Sequence, residues 1–442
     1  MTHRTRVLTQ CCAVLAIALP LVATSFAPHP VGAAAASPPS GLARASVDTA
    51  TKVQPKRIAT TRWSGQALAG GTFERTRLAD GAIVLGRKPV RVRYDDPYGG
   101  GGAIAYNRGR WYSPWKRAGF GFDELIASWN ADTPVGTFVE ISVRGTTSNG
   151  RRSSWDHLGR WASHDVNFHR MSLGSQPDDF SRVAVDTLVA DAGVTYRSWQ
   201  LRVSLLSRVG NGKTPRVRRL AAVASNLPAT SATSRHGGVV RELRVPRYSQ
   251  VVHRGHYPQY NGGGAAWCSP TSTSMVLAAF DRGPTRRQYG WVDHDAGSPR
   301  VDYAARYTFA WNYDGAGDWP FNTAYAARFE TDAFVTRLRS LREAELFIRA
   351  GVPLVASIAF GPGELGGAPI SSTAGHVVVI VGFTRAGRVI VNDPAGHDSS
   401  QVRRVYTRAQ FENAWLDASG GTVYVIHPPG KKLPAPARHS NW

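Results

Sequence analysis

Three cysteines occur in 442 residues, and two of them, Cys11 and Cys12, fall within the first dozen. The N-terminus has the pattern of a segment removed on export. Arg4 and Arg6 form a basic start, Cys11 to Ala23 is mostly apolar, and Ala33-Ala34-Ala35-Ala36 offers small-residue cleavage sites. Once that segment is gone, Cys268 is the only thiol left, so no intramolecular disulfide can staple the fold. An unpaired thiol outside the cell is a liability unless it is buried or used.

A signal peptide is therefore expected over residues 1–36, and the mature chain is expected to be secreted and extracellular. The apolar run is too short, and too interrupted by Pro20, to span a bilayer, and no later stretch is long and apolar enough for a transmembrane segment. The cysteines precede the apolar run instead of ending it, which argues against a lipoprotein. About 400 residues remain, enough for two domains with a core each. The net charge of +22 becomes +20 without Arg4 and Arg6. That positive charge is nearly all arginine and is scattered, with no dense basic tract and no nucleic-acid motif, so no nucleic-acid partner is expected.

Residues 37–60 are small and polar and read as a flexible leader. Residues 61–225 carry the period-two alternation of strands. Val139, Ile141 and Val143 share one face of Thr137 to Arg144, and Trp199 to Leu205 alternates likewise. Turn clusters such as Tyr98-Gly99-Gly100-Gly101-Gly102 and Ser148-Asn149-Gly150 separate such runs, which predicts an all-β sandwich. A module of that kind is a candidate for cell-wall or glycan contact. Residues 226–240 are rich in Ala, Ser, Thr and Gly and read as a linker.

Helix and strand signals mix over residues 241–428. Ser340-Leu341-Arg342-Glu343 has the form of a capping box, followed by Ala344 and Ile348 at helical spacing. Gly351 ends that helix and Pro353 introduces a strand from Leu354 to Phe360. Residues 429–442 form a basic, Pro-rich tail that is expected to be disordered.

The chemistry gathers around Cys268. The run Gly262-Gly263-Gly264 leads into Trp267-Cys268-Ser269-Pro270, and Pro270 suits the first turn of a helix, where its missing N–H costs nothing. Met275, Val276 and Ala279 predict an apolar stripe along that helix. A sulfur at a helix start meets unpaired N–H groups and the positive end of the dipole, both of which favour thiolate. The base should be a histidine, and His376 is placed best: Gly375-His376 opens the apolar strand Val377 to Phe383. Arg385-Ala386-Gly387 turns the chain, and Val389-Ile390-Val391-Asn392-Asp393-Pro394 returns it. Asp393 would come back beside His376 and orient the ring; a shifted register would favour Asn392 or Asp398. For the oxyanion, the N–H of Cys268 and the side-chain amide of Gln250 are the candidate donors.

Taken together, Val245-Pro246 with Gln250, Cys268-Ser269-Pro270, Gly375-His376 and Asn392-Asp393-Pro394 resemble bacterial papain-like cysteine peptidases related to the processors of bacteriocin leaders, family thirty-nine of the cysteine peptidases. The resemblance covers about residues 241–428. It implies an α+β papain-like fold after the sandwich, with Cys268 as nucleophile, His376 as base, Asp393 as orienting group and Gln250 in the oxyanion hole. The substrate would be a peptide or protein. Ser269 stands where many relatives carry Gly, and the Gln250-to-Cys268 spacing is long, with His253 to Gly264 inserted. No transporter domain follows, so a role in bacteriocin export is not expected.

Other signals carry less. His253-Arg254-Gly255-His256 and Asp293-His294-Asp295 lack a helical i, i+4 pair and cysteine partners, so they read as loop histidines, and no metal or cofactor is expected. Gly210-Asn211-Gly212-Lys213-Thr214 echoes a phosphate loop but sits in a β-turn context. Trp311, Tyr313, Trp319 and Phe321 crowd a Gly- and Asp-rich stretch and could line a groove or fill a core. The expected function is a secreted thiol peptidase acting through a thioester. The alternatives are a cell-wall peptide hydrolase or amidase of NlpC-like chemistry, and a surface-binding protein whose hydrolase domain is inert.

Overall fold

The computed structural model describes residues 55–293, 296–436 and 440–442. The export signal expected over 1–36, the leader as far as residue 54, and His294, Asp295 and His439 lie outside them.

Alternation in the first half becomes two antiparallel sheets of seven and eight strands. Strand Thr137–Thr147 pairs with Tyr196–Arg208, with Val143 opposite Leu201, Ile141 opposite Val203 and Val139 opposite Leu205. All six side chains are fully buried, each worth about 1.5–3 kcal/mol relative to exposure. The other sheet is built around Glu124–Asp132 and Arg216–Asn226, with Arg57–Ser64 beside the latter. Its Trp63 packs edge-on against Trp111 (6.2 Å) and Trp199 (5.7 Å) of the first sheet. That aromatic contact, worth about 0.5–1.5 kcal/mol per pair beyond area burial, holds the two sheets face to face as a β-sandwich.

The second half is another antiparallel sheet of seven strands. Its order is Asp332–Arg337, Thr422–His427, Leu354–Phe360, Thr373–Phe383, Val389–Asn392 and Arg403–Tyr406, with Arg241–Glu242 added beside Thr373–Phe383. Among the described residues five α-helices accompany it: α1 (Cys268–Ala279), α2 (Pro299–Thr308), α3 (Trp319–Ala326), α4 (Leu341–Arg349) and the short α5 (Arg408–Glu412). The expected apolar stripe on α1 is not what forms. The helix is enclosed on every side, and Ser269 through Leu277 are all buried. Its hydroxyls find interior partners: Ser272 donates to the Val377 carbonyl (3.1 Å), Thr273 to Asn322 Oδ1 (3.2 Å), and Ser269 bonds the Tyr424 hydroxyl (2.8 Å). Pairing these hydroxyls lowers the cost of a central position for the helix, although Thr271 Oγ1 has no hydrogen-bond partner among the described residues.

From α3, Phe321 reaches the sandwich and packs near Trp129 (6.0 Å) and Trp161 (5.3 Å). One apolar core therefore runs from the sandwich into the second sheet and its helices. Residues 227–240 form no strand or helix, yet they are held. Glu412 accepts from Ser234 N and Oγ (2.6 Å each), and Glu345 accepts from Gly237 N (2.5 Å).

Two local expectations are corrected. Ser340 makes no side-chain cap on α4. The Leu341 N–H is taken by Glu412 (2.7 Å), while Glu343 accepts from Arg339 N and from Asn441 Nδ2 (2.8 Å each), so distant groups replace the local box. The end of the expected disordered tail is docked. Asn441 is fully buried and donates to the Arg337 carbonyl (2.9 Å), and Trp442 packs edge-on against Phe347 at 4.9 Å.

Candidate active site

Helix α1 begins at Cys268 itself, so the sulfur rises from the first turn and stays partly exposed while the next nine residues are buried. The loop before it needs its glycines. A side chain at Gly264 would collide with the Gln250 carbonyl and with His253, which is why the chain can fold back so tightly before the helix.

His376 lies on strand Thr373–Phe383, which packs against α1 through the Ser272–Val377 hydrogen bond. Its neighbour Val389–Asn392 places Asn392 opposite Val379, with a bulge between Ile380 and Gly382. Asp393 follows that strand directly, and its Oδ1 lies 2.7 Å from His376 Nε2. The other two orienting candidates are elsewhere. Asn392 Nδ2 donates to the Val245 and Pro246 carbonyls (3.2 Å each), which ties down the Val-Pro segment, and Asp398 accepts from Ser400 at the surface. Asp393 is fully buried and also accepts from Ala395 N (3.0 Å) and the Tyr406 hydroxyl (2.9 Å).

This surrounding decides the charge on the ring. Burial alone would strip its proton. The Asp393 carboxylate, its hydrogen bond and the neighbouring Cys268 sulfur outweigh that and raise His376 from 6.5 to about 10. Asp393 moves the opposite way: burial pushes it up, but the charge of His376 and the hydrogen bonds from His376, Ala395 N and the Tyr406 hydroxyl hold it below the ordinary carboxylate range. With Nε2 committed to Asp393, the other ring nitrogen, Nδ1, is left for the sulfur.

Gln250 is buried, and its backbone N–H donates to the Pro394 carbonyl (2.8 Å), one residue beyond Asp393. Its Nε2 donates to the Ala265 carbonyl (2.7 Å), which leaves a second N–H on the same nitrogen. Gln250, Cys268 and His376 line one cleft of about 820 Å³.

Sequence reasoning missed the opposite wall. Strands Ser181–Ala184 and Thr187–Ala190 form a hairpin whose two-residue tip, Val185-Asp186, reaches from the sandwich into this cleft. Asp186 accepts from Trp319 N (2.8 Å) and Thr187 Oγ1 (2.9 Å), and Asp318 caps α3 by accepting from Phe321 N (2.8 Å). Burial, and for Asp318 the nearby Asp186 carboxylate, raise both acids. No local pattern marks Asp186, because a hairpin tip in a sandwich gives no hint of what it will face. The aromatic stretch divides: Tyr313 and Trp319 line the cleft, Phe321 packs into the core, and half-buried Trp311 packs edge-on against His169 at 4.4 Å.

Two family models match the chain. The peptidase C39 N-terminal domain covers residues 59–225, and the peptidase C39 like family covers residues 242–423. No curated protein matches it. Among solved structures, a carbohydrate-binding module in complex with β-1,4-galactotriose is 8% identical, covers 38% of this chain and 88% of its own, and has a TM-score of 0.16. Carbohydrate-binding modules from the β-sandwich superfamily are 11% identical over 37% of this chain and 55% of theirs, with a TM-score of 0.17. A laminarinase from Rhodothermus marinus is 10% identical over 38% of this chain and 90% of its own, with a TM-score of 0.16. Likeness at that level carries no functional argument.

Proposed function

This chain belongs to the C39-family cysteine-peptidase-like proteins, and from that premise we propose that it hydrolyses peptide bonds through a thioester on Cys268. The observation that carries the reading is the position of the His376 ring, bonded to Asp393 at 2.7 Å and adjoining the Cys268 sulfur on the wall of an open cleft. Residues 241–428 act as a papain-like peptidase domain and residues 61–225 as an accessory module.

In this mechanism the proton of Cys268 Sγ resides on the His376 ring, which is held as imidazolium, and the sulfur attacks the carbonyl carbon of the scissile bond as thiolate. The oxyanion is met by the spare N–H of Gln250 Nε2 and by the N–H of Cys268 at the start of α1, where the dipole also favours negative charge. The imidazolium then protonates the leaving amine as the C–N bond breaks. Water, deprotonated by the same ring, attacks the thioester and releases the acid and the thiol. Asp393 keeps the ring in the productive tautomer throughout. The substrate lies between the hairpin tip at Val185-Asp186 and the exposed Ala374-Gly375, so the sandwich supplies part of the binding wall.

We place this activity outside the cell, with the sandwich free to touch cell-wall or glycan surfaces. Among the described residues no helix is long and apolar enough to cross a membrane. Casein and purified peptidoglycan, each digested by the full chain and by Cys268→Ala, test the reading. Cleavage of casein lost in Cys268→Ala is the expected outcome. Release of peptides from peptidoglycan alone would move the assignment to a cell-wall hydrolase, and equal turnover by Cys268→Ala would overturn it.

A further inference from the structure

The segment inserted between Gln250 and Cys268 contains the two histidines that the sequence leaves as loop residues. In the fold they are interior. His253 is fully buried at the end of a short turn, Val251–His253, and His256 follows it, donating its N–H to the His253 carbonyl (3.0 Å). Both rings face Asp302 on α2, which is also fully buried. His253 Nδ1 lies 2.9 Å from Asp302 Oδ2, and His256 Nδ1 lies 2.8 Å from Asp302 Oδ1. One ligand atom from each of the three residues falls within 4.8 Å of the others.

The His253 contact is short without being a hydrogen bond. Among the described residues, neither ring nitrogen of His253 has a hydrogen-bond partner, and neither does Asp302 Oδ2. A ring nitrogen and a carboxylate oxygen thus converge at 2.9 Å in the buried interior without forming a hydrogen bond. Such an arrangement is costly unless something positive sits among the donors, since buried polar atoms and charges normally find partners. The packing keeps the His253 ring there: a side chain at Gly297 would collide with His253 Nε2.

We propose that His253, His256 and Asp302 bind a divalent transition-metal ion. Two imidazoles and one carboxylate are borderline donors that suit zinc, whereas calcium and magnesium take oxygen ligands. The ion is structural. It ties the inserted segment to α2, beside Trp267, whose ring lies 6.3 Å from that of His253 and which immediately precedes Cys268. It also fixes the turn that begins at Gln250. The long spacing between Gln250 and Cys268 is in this way closed by a metal staple where a shorter loop would need none. The inference is independent of peptidase activity, because it concerns the insert and is read without any substrate.

Elemental analysis of the purified full chain, dialysed against zinc and then against metal-free buffer, tests it. The expected result is about one zinc ion retained per chain, a Tm lowered by a strong chelator and restored by zinc, and loss of the ion in Asp302→Asn. Substitution with cobalt should give the visible absorption of a tetrahedral nitrogen and oxygen site, absent in His256→Gln, which serves if Asp302→Asn does not fold. A folded chain that retains no stoichiometric zinc, with a Tm indifferent to zinc and chelator, overturns the proposal and leaves a buried His–Asp network. Retention of the metal by folded Asp302→Asn and His256→Gln would overturn it equally.

Discussion

His376 keeps a charge in a place where burial alone would remove it, and the balance rests on Asp393. A ring that binds its proton more tightly in the folded chain than in the unfolded one stabilises the fold. That contribution is complete below pH 6.5 and is lost as pH climbs through about 10. Asp393 contributes in the other direction: its share is present above the ordinary carboxylate value of 3.8 and disappears as pH falls through its lower folded value. Asp393→Asn keeps an acceptor for the ring but removes the charge, so burial then governs and the ring stays neutral. We expect the wild-type Tm to fall between pH 6.5 and about 10 by an amount that Asp393→Asn does not show; parallel curves would contradict this. Asp393→Ala, which removes the acceptor as well, should lower kcat/KM by about 10²–10⁴-fold.

Elements place these residues, and some of that placement is legible locally. The Gly run, Cys268 and Pro270 mark the start of α1, and the turn at Arg385-Ala386-Gly387 marks the hairpin that returns Asp393 to His376. What is not legible depends on partners far along the chain. Asp302 lies 46 residues from His256, and the capping of α4 passes to Glu412, 71 residues from Leu341. The hairpin at Val185 is a further case. Val185 adopts a φ of 58°, and the Asp186 N–H donates across it to the Ala184 carbonyl (2.8 Å), a tight turn in a conformation costly for a β-branched residue. Asn tolerates that region better, so Val185→Asn should stabilise the chain by about 1 kcal/mol in urea denaturation. A loss of stability would show that the valine side chain contributes packing greater than its backbone cost.

At the scale of the molecule, the sandwich and the second sheet share one core through Phe321 and jointly enclose the cleft, with Asp186 on one wall and Cys268 and His376 on the other. Alternation alone predicts the sandwich strands, because one buried face imposes period two. It gives no account of how the sandwich meets the rest, since interface residues such as Trp129, Trp161 and Phe321 look like ordinary core residues in sequence. The docked Trp442 escapes for the opposite reason: the Pro-rich, basic stretch before it has the composition of a free tail, and a single buried indole against Phe347 reverses that outcome. Composition describes averages, whereas one aromatic side chain can contribute several kcal/mol by itself.

Hydrolysis by this chain depends on a thiol made reactive by its imidazole neighbour. Labelling Cys268 at neutral pH with a peptide-based electrophile, read by intact mass in the wild type and in His376→Ala, measures that dependence directly. One label per wild-type chain, with the rate collapsing in the folded His376→Ala protein, is the predicted result. Equal rates in the two proteins would contradict the central claim.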